Sequence, residues 1–379
     1  MKFSIRRGEF ISALNDAQRA ISSKTAIDIL KGIKLTLTDH DLIMTGSDAD
    51  ISIETVITLD DEKAALQIDE PGSIVLPARF FNEIVKKLPE DIMTIAVDSR
   101  FQATITSGQA EFTINGLDSE TYPHLPEVDA QSKLVISADI LKQVINQTVM
   151  AVSNQESRPI LTGVHLSYSN GELAAVATDS HRLSQRKINL KDAGSESYDI
   201  IVPGKSLNEL AKMLDDSTQS VEIRVAENQI LFTFDNTSFY SRLLEGNYPD
   251  TDRLIPQSSE TTVEFNAVEL LHSIDRASLL SHEGQNNVVK LSLNTSDKKA
   301  VIYGNSPEIG NVEEDLAFKK LEGKDLEISF NPDYMKDALS SFGQTDIIMA
   351  LTLPLRPFTL VPTEDGANFV QLITPVRTF

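Results

Sequence analysis

The chain contains three copies of one sequence pattern, each about 130 residues long. Two series of apolar residues recur in every copy, the first at offsets of 131 and then 129 residues. The first series is Phe10, Leu14, Ala17 and Ile21, then Leu141, Ile145, Thr148 and Val152, then Leu270, Ile274, Ala277 and Ser281; the second is Phe81, Val85 and Leu88, then Leu207, Ala211 and Leu214, then Met335, Leu339 and Phe342. Self-similarity at a fixed period indicates a repeat architecture. We therefore expect three domains, at residues 1–128, 133–256 and 261–379.

The same order of elements is predicted in each copy. A short apolar strand, at 3–5, 134–136 and 263–265, precedes an amphipathic helix whose apolar residues follow the helical spacing. The second half of each copy repeats this plan, with a proline at or near the first turn of its helix at Pro77, Pro203 and Pro332. Short strands joined by tight turns favour antiparallel sheets with helices on one face. The predicted fold is α+β, with two helices per copy and six in the chain.

Composition limits the class of protein. The chain is 41% hydrophobic, which is ordinary for a globular protein, and it has no cysteine. Disulfides and thiolate metal sites are therefore excluded, and a reducing compartment is favoured. The N-terminal segment lacks the apolar run of a signal peptide, and no stretch approaches a membrane-spanning length. We expect a cytoplasmic protein.

The net charge of −22 arises from 56 acidic and 34 basic residues. Taken alone, it predicts repulsion from other polyanions, nucleic acids included. Most acidic residues fall in loops and at strand ends, so the positions of the basic residues carry the information. The charge distribution indicates segregation between helix faces and loops.

Two basic residues lie opposite the apolar face of the second helix in copies one and two, when residues are placed about 100° apart. They are Arg79 and Lys86 in copy one and Lys205 and Lys212 in copy two. The centre of this face lacks carboxylates. The third copy has Asp333 and Ser340 at these positions, with Lys336 to one side. The alternative is that these are ordinary cations of a solvated helix face.

One turn differs between the copies. It contains Asp-Ser-His at 179–181, Asp-Ala-Asp at 48–50 and Asn-Ser-Pro at 305–307. Only the second copy continues as His-Arg-Leu. A turn common to all copies serves the fold, whereas basic and apolar residues found in one copy indicate a function added there.

The whole chain resembles the bacterial sliding clamps, the β subunits of the replicative DNA polymerase. Three segments carry the resemblance: Ala-Thr-Asp-Ser-His-Arg-Leu at 177–183, Tyr-Pro-Asp at 248–250 and Leu-Ile-Thr-Pro-Val-Arg at 372–377. It implies a head-to-tail homodimeric ring whose helices line a hole for duplex DNA. It also implies a processivity factor with no catalytic residue, cofactor or metal ion. Such a channel would attract phosphates without reading bases, and the negative exterior would keep DNA off other surfaces.

The resemblance assigns residues to the DNA channel and to the dimer contact. The DNA-facing residues would be Arg19, Lys24, Arg79, Lys86, Arg158, Lys205 and Lys212. For Lys24 and Arg158, solvated loop charges are the alternative. Phe112 and Ile114 of one chain would meet Leu279 and Leu280 of the other in a heterologous contact. Phe112 and Ile114 also alternate on one strand face, as core residues do.

A groove for short linear peptides is the second site that the resemblance implies. Its residues would be Leu161, Thr178, Ser180, His181, Arg182, Leu183, Pro249, Arg253, Leu254, Leu355, Leu372, Ile373, Thr374, Pro375, Val376 and Arg377. Leucine and phenylalanine anchors would fill an apolar slot, and arginine and histidine would bond the peptide backbone. The implied partners are the replicative polymerase, the ATP-dependent clamp loader, other polymerases and repair proteins. Ser180 and Thr374 depart from the family, in which glycine and a larger apolar residue are frequent. The alternative for 372–376 is a last strand that merely packs on its domain.

Two other classes of protein fit less well. Asp48 with Asp50, or Asp179 with His181, could bind magnesium in a metal-dependent nuclease or phosphoryl-transfer enzyme. The sequence has no glycine-rich phosphate loop, no HExxH helix and no nucleophile elbow. A carbohydrate-binding repeat protein would have a secretion signal and aromatic platforms, but tryptophan is absent.

Overall fold

The computed structural model describes residues 1–125, 128, 133–190, 197–281 and 287–378. Of the predicted domain ends, residue 128 is described but its neighbours are not, and residue 379 lies outside the described residues. Six α-helices occur among the described residues, as predicted, and the strands pair antiparallel. None of these helices is both long and apolar enough to span a bilayer.

The elements of the three copies follow one plan. Copy one contains β1 Lys2–Arg6, α1 Arg7–Gln18, β2 Gly32–Leu37, β3 Asp41–Ser47, β4 Ile51–Thr58, β5 Gln67–Glu70, β6 Gly72–Pro77, α2 Ala78–Lys87, β7 Ile92–Val97, β8 Gln102–Ser107 and β9 Ala110–Asn115. Copy two contains β10 Leu134–Ser137, α3 Ala138–Thr148, β11 Gly163–Ser169, β12 Glu172–Thr178, β13 Arg182–Asn189, β14 Tyr198–Pro203, α4 Gly204–Met213, β15 Ser220–Val225, β16 Gln229–Phe234 and β17 Thr237–Arg242. Copy three contains β18 Thr261–Asn266, α5 Ala267–Ser281, β19 Val289–Asn294, β20 Lys299–Ser306, β21 Gly310–Asp315, β22 Lys320–Gly323, β23 Leu326–Phe330, α6 Pro332–Phe342, β24 Asp346–Leu351, β25 Phe358–Pro362 and β26 Phe369–Ile373.

The first helix of copies one and two is shorter than its apolar stripe predicts. α1 ends at Gln18, whose carbonyl accepts the amide of Ile21 in a tighter turn. Ile21 therefore lies beyond the helix, although it packs against the core of copy one. In copy two a 3-10 turn, Val149–Ala151, follows the end of α3, so Val152 is also outside the helix. In copy three α5 includes all four positions of the stripe.

The sheets cross the boundaries between copies, which the repeats alone did not predict. β4 of copy one pairs with β17 of copy two, and β13 of copy two pairs with β26 of copy three. We call these pairings seam 1 and seam 2. The strand orders are β5-β1-β7-β8-β9, β10-β15-β16-β17-β4-β3-β2-β6, β14-β11-β12-β13-β26-β25-β24-β18-β22 and β21-β20-β19-β23.

The chain divides into two compact units. The first unit is Met1–Asp139 with Glu209–Leu243 and contains seam 1. The second unit is Ile140–Asn208 with Leu244–Phe379 and contains seam 2. Strands of copy two belong to both units, because each seam joins them to a neighbouring copy. The division into three domains at 1–128, 133–256 and 261–379 stays a prediction.

Aromatic side chains pack against one another in the core of each unit. In the first unit, Phe10 of α1 packs edge-on against Phe81 of α2 at 5.7 Å, and both are fully buried. In the second unit, Phe330 and Phe358 pack at 5.7 Å within the core of copy three. The buried residues of α1, α2, α5 and α6 recur at helical spacing, which confirms that the apolar face of these helices points into the core, as the periodicity predicts.

Two glycines allow the first helix to approach its sheet. A Cβ added at Gly46 of β3 would lie 2.0 Å from the carbonyl oxygen of Ala17 in α1, and at Gly304 of β20 the distance to the Ala277 carbonyl would be 2.3 Å. These two glycines hold the same position in copies one and three, where copy two has Ala177, so the glycine is not common to all three copies.

We expect Gly46→Ala to lower the free energy of unfolding by about 3 kcal/mol, since a backbone oxygen cannot move away from the new methyl group. Gly8→Ala is the matched control, because nothing lies within 4 Å of its Cβ position. Alanine within a helix should stabilise that control by up to about 1 kcal/mol. Urea unfolding of both variants measures the difference, and similar stabilities would contradict the proposed role of Gly46.

Candidate functional site

The turn between β12 and β13 is held by its own side chains. Asp179 Oδ1 accepts the amides of His181 at 2.8 Å and Arg182 at 3.0 Å. Thr178 Oγ1 donates to the carbonyl of Arg182 at 2.6 Å and accepts the amide of Ser180. Ser180 has φ 81°, a left-handed conformation that costs a non-glycine residue about 1 kcal/mol. This backbone explains why glycine suits position 180.

Arg182 does not extend freely into solvent. Its Nε lies 3.0 Å from Asp179 Oδ2, its NH1 lies 2.5 Å from Asp337 of α6, and its guanidinium stacks 4.5 Å from the centre of the Tyr334 ring. The ring of His181 also stacks on Tyr334, with centroids 6.5 Å apart. Arg182 therefore fixes the turn against copy three, and His181 remains the exposed member of the pair.

An apolar floor lies beneath this turn. Val176, Leu183 and Leu372 are buried together, and Tyr248 and Ile255 pack against them. The Tyr248 hydroxyl accepts the amide of Thr178 at 3.0 Å, and burial raises the pKa of Tyr248 to about 12. Leu183 and Leu372 were predicted as groove residues, whereas Val176 and Tyr248 were not, although Tyr248 lies in one of the diagnostic segments. Its recurrence as Tyr122 in copy one was the available signal.

The C-terminal segment continues past β26 and reaches the turn. The amide of Thr374 donates to the carbonyl of His181 at 2.8 Å, and the amide of Val376 donates to the carbonyl of Ser329 at 2.7 Å. Pro375 is half-buried and Arg377 is exposed. The alternative that residues 372–376 are only a last strand of the domain is thus correct as far as Ile373, where β26 ends. The residues after Ile373 form a wall beside His181.

Five further residues were predicted to belong to the groove. Four of them, Pro249, Arg253, Leu254 and Leu355, are exposed, with Leu254 at 52% and Leu355 at 53%, whereas Leu161 is buried. Arg253 pairs with Asp250 at 2.8 Å. Exposed leucines of this size are candidate contacts for a partner.

Arg158 was predicted to face DNA, yet it contacts the predicted groove. Its NH1 donates to Ser180 Oγ at 3.0 Å, across 22 residues of sequence. The serine that replaces the family's glycine thus has an arginine partner. The sequence placed these two residues in different sites because spacing does not reveal contacts between loops.

The basic residues of α2 and α4 are at the surface. Arg79, Lys86, Lys205 and Lys212 are all exposed. Carboxylates nevertheless lie beside them, contrary to expectation: Glu83 Oε1 is 3.5 Å from Arg79 Nε, and Glu209 Oε1 is 2.7 Å from Lys212 Nζ. Exposed pairs of this kind are weak. Both cations can therefore exchange their partner for a phosphate at small cost.

The other basic residues lie near carboxylates of their own or in loops. Arg19 lies 3.8 Å from both Asp16 and Glu209, and Lys24 is exposed in a turn. Burial raises the pKa of Asp16, although Arg19 opposes this shift. In copy three, Lys336 lies 3.1 Å from Asp333. The cationic face of copy three is thus neutralised, in line with the incomplete stripe in the sequence.

The predicted dimer residues lie on β9 and α5. Phe112 is 39% exposed on β9, while Ile114 packs partly against the core of copy one. Leu279 is 67% exposed near the end of α5, and Leu280 is half-buried. Phe112 and Leu279 are therefore not plain core residues.

The acidic residues proposed as magnesium ligands build turns instead. Asp48 Oδ1 accepts the amides of Asp50 at 3.1 Å and Ile51 at 2.8 Å, as Asp179 does in copy two. Among the described residues, no three His, Asp or Glu side chains converge as metal ligands.

Family models match nearly the whole chain. Residues 1–126 match the N-terminal domain of the DNA polymerase III beta subunit, residues 135–250 its central domain and residues 252–377 its C-terminal domain. The beta sliding clamp of Bacillus subtilis is 49% identical over 380 residues and covers 100% of both chains. That of Streptococcus pneumoniae serotype 4 is 46% identical over 99% of both chains.

Solved structures give the same result. The crystal structure of the DNA polymerase III beta chain from Streptococcus pneumoniae matches with a TM-score of 0.96 at 46% identity, over 100% of both chains. The Bacillus subtilis DNA polymerase sliding clamp matches with a TM-score of 0.96 at 48% identity, also over 100% of both chains. The similarity therefore includes the fold of all three copies.

Proposed function

The chain belongs to the DNA polymerase III beta subunit family, the bacterial sliding clamps, and we propose from this that two copies form a ring around duplex DNA. The ring tethers the replicative polymerase and other DNA-processing proteins and so confers processivity. It slides because it holds DNA by enclosure and by phosphate attraction, without contacts to bases. One observation carries the proposal: the two seams have the same strand register.

At seam 1, Phe239 of β17 lies opposite Ile53 of β4. At seam 2, Gln371 of β26 lies opposite Ser184 of β13. The hairpin registers within the copies place these two pairs at the same repeat positions. Each seam joins the last strand of one copy to the fourth strand of the copy before it. A third seam of this kind needs β9 and β21, which are edge strands of their sheets in the described chain.

Pairing β9 of one chain with β21 of another would repeat the seam between molecules. By the same hairpin registers, Phe112 corresponds to Phe239 and Gln371, and Val312 to Ile53 and Ser184. Phe112 would lie opposite Val312 of the partner chain. α5 lies beside β21, which supports a contact of Leu279 and Leu280 with the same edge. This pairing is head-to-tail, and two such contacts close a dimer.

The proposed channel lining consists of exposed cations on α2 and α4 together with Arg19, Lys24 and Arg158. Their surface exposure and their weak carboxylate pairs support a role in attracting phosphates. The acidic remainder of the chain, which gives the net charge of −22, would repel DNA from the outside.

The proposed peptide groove lies over the floor of Val176, Leu183 and Leu372. His181 at its rim is exposed, and the amides beyond β26 form its wall. Arg182 supports the turn rather than the peptide, because its guanidinium is already bonded to Asp179 and Asp337. The polymerase, the clamp loader and repair proteins would compete for this groove through short linear segments.

The chain is a non-catalytic subunit, and the family favours this function over a metal-dependent nuclease. We also propose a cytoplasmic location, since bacterial DNA, the proposed partner, lies there. Asp48 and Asp179, which the nuclease alternative assigned to a metal ion, accept backbone amides within their turns.

A topology assay tests the proposal. We expect a dimer in solution that, once loaded, stays on nicked circular DNA but slips off the same DNA after linearisation. Enclosure predicts this difference because a linear duplex has free ends. Mass measurement and gel filtration of DNA-bound protein provide the readouts. Equal retention on both forms would contradict enclosure, and a monomer would contradict the third seam.

A further inference from the structure

Seam 1 contains a counterpart of the proposed peptide groove. The turn between β3 and β4 repeats the turn between β12 and β13, with Ala49 at φ 79° where Ser180 has φ 81°. In both turns an aspartate accepts two following amides, at Asp48 and at Asp179. The two turns are therefore the same structure with different side chains.

The strand end beside the turn is repeated as well. The amide of Arg242 donates to the carbonyl of Asp50 at 2.9 Å, as the amide of Thr374 donates to the carbonyl of His181 at 2.8 Å. Tyr122-Pro123 stands where Tyr248-Pro249 stands in copy two. The backbone of the groove is thus present twice in the chain.

A cavity lies beside the turn between β3 and β4 at seam 1. It has a volume of about 240 Å³, and its lining includes Asp50, Ser52, His124, Tyr240 and Arg242. Space for a ligand is therefore available at seam 1, and the difference between the two sites lies in the chemistry of their walls.

The floors of the two sites differ at every position. Val176, Leu183 and Leu372 of the groove correspond to Thr45, Ser52 and Tyr240 at seam 1, by the strand registers of the two seams. The first set is an apolar cluster. The second set carries three hydroxyl groups.

These hydroxyl groups already have partners. Ser52 Oγ lies 2.8 Å from Ser47 Oγ, Thr45 bonds the carboxylate of Glu54, and Tyr240 bonds Ser238. Each hydroxyl group can form more hydrogen bonds than its one partner satisfies. An apolar anchor placed over these groups would remove the water that completes them without offering a hydrogen bond in its place, and this opposes binding. In the groove, the same anchor would cover only carbon.

We propose that three residues determine specificity at seam 1: Ser52 and Tyr240, which line the cavity, and Thr45, which lines a neighbouring cavity that shares His124 with it. Together they exclude leucine- and phenylalanine-bearing peptides from seam 1. They restrict such partners to the groove of seam 2. The inference rests on the proposed peptide-binding function. Because the backbone is the same at both seams, three side chains at each seam determine whether a peptide binds there.

A gain-of-function variant tests the inference. Thr45→Val, Ser52→Leu and Tyr240→Leu together give seam 1 the floor of the groove. With a synthetic peptide that carries leucine and phenylalanine, we expect calorimetry to show one bound peptide per chain for the wild type and a second for the variant. The second site should bind within roughly 30-fold of the affinity of the first, since rim residues still differ.

Ser137→Leu with Ser220→Leu is the matched control, since these exposed residues pair on β10 and β15 of the same sheet but do not line the cavity. A second peptide bound by this control would indicate non-specific adhesion and overturn the inference. If the triple variant unfolds, Ser52→Leu with Tyr240→Leu replaces it, because Ser52 and Tyr240 are only half-buried. If the triple or double variant folds and still binds only one peptide, the inference is overturned, while the proposed groove at seam 2 is unaffected. A wild type that binds none would show that the proposed groove itself is wrong.

Discussion

A chain truncated after Ile373 should remain a folded dimer and should lose the ability to stimulate its polymerase. β26 ends at Ile373, so both of its strand pairings persist in the shortened chain. The truncation removes the amides of Thr374 and Val376, which bond His181 and Ser329 and form one wall of the groove. We expect peptide affinity to fall roughly 100-fold, because both the wall and its apolar contacts are lost.

Primer extension on a circular template and direct titration with the peptide give the two readouts. A truncation after Arg377 is the matched control, because it keeps the whole wall and removes only Thr378 and Phe379. Circular dichroism and mass measurement establish that the fold and the dimer persist. Normal polymerase stimulation by the chain that ends at Ile373 would exclude the segment after Ile373 from the groove.

Charge reversal on α4 should weaken retention on DNA and leave the dimer intact. Lys205→Glu with Lys212→Glu changes two exposed side chains that take no part in either seam. If both face phosphates, the slope of the logarithm of affinity against the logarithm of salt should fall by roughly 2 per chain. Repulsion from the new carboxylates, added to Glu209, should lower retention at physiological salt by about tenfold or more.

Lys298→Glu with Lys320→Glu is the control for net charge. These exposed lysines lie in a turn and on β22, outside the helices, and the change in charge is the same. Retention on nicked circles across a salt series separates local from global effects. An equal loss in both variants would mean that net charge, rather than a channel, governs binding to DNA.

Part of this site could be derived from the sequence. The repeat period located the strands and helices of each copy, and comparison of the copies singled out the turn at 179–181. The role of Arg182 could not be derived. Its partners Asp337 and Tyr334 lie about 150 residues away on α6, and no local pattern indicates a contact over such a separation.

Side-chain pairing also escaped the sequence. The helical wheel predicted exposed cations on α2 and α4 correctly, because exposure follows from angular position on a helix. The contact of Lys212 with Glu209 was overlooked, although the two residues are three apart in the sequence, a spacing at which side chains on a helix meet. Val176 and Tyr248 were missed because, in the sequence, residues that form the floor of a groove look like ordinary residues of a hydrophobic core.

The sequence by itself determined the number of copies, because one pattern recurs about every 130 residues. It also determined the order of elements and the buried face of each helix, because these depend on periodicities within about 15 residues. Only the tertiary structure decided which strands join the copies and which side chains meet beneath the turns. The registers of seams 1 and 2 arise from backbone hydrogen bonds between strands more than 100 residues apart, and backbone groups are the same in every residue. The chain therefore carries no local record of which edge each strand will find.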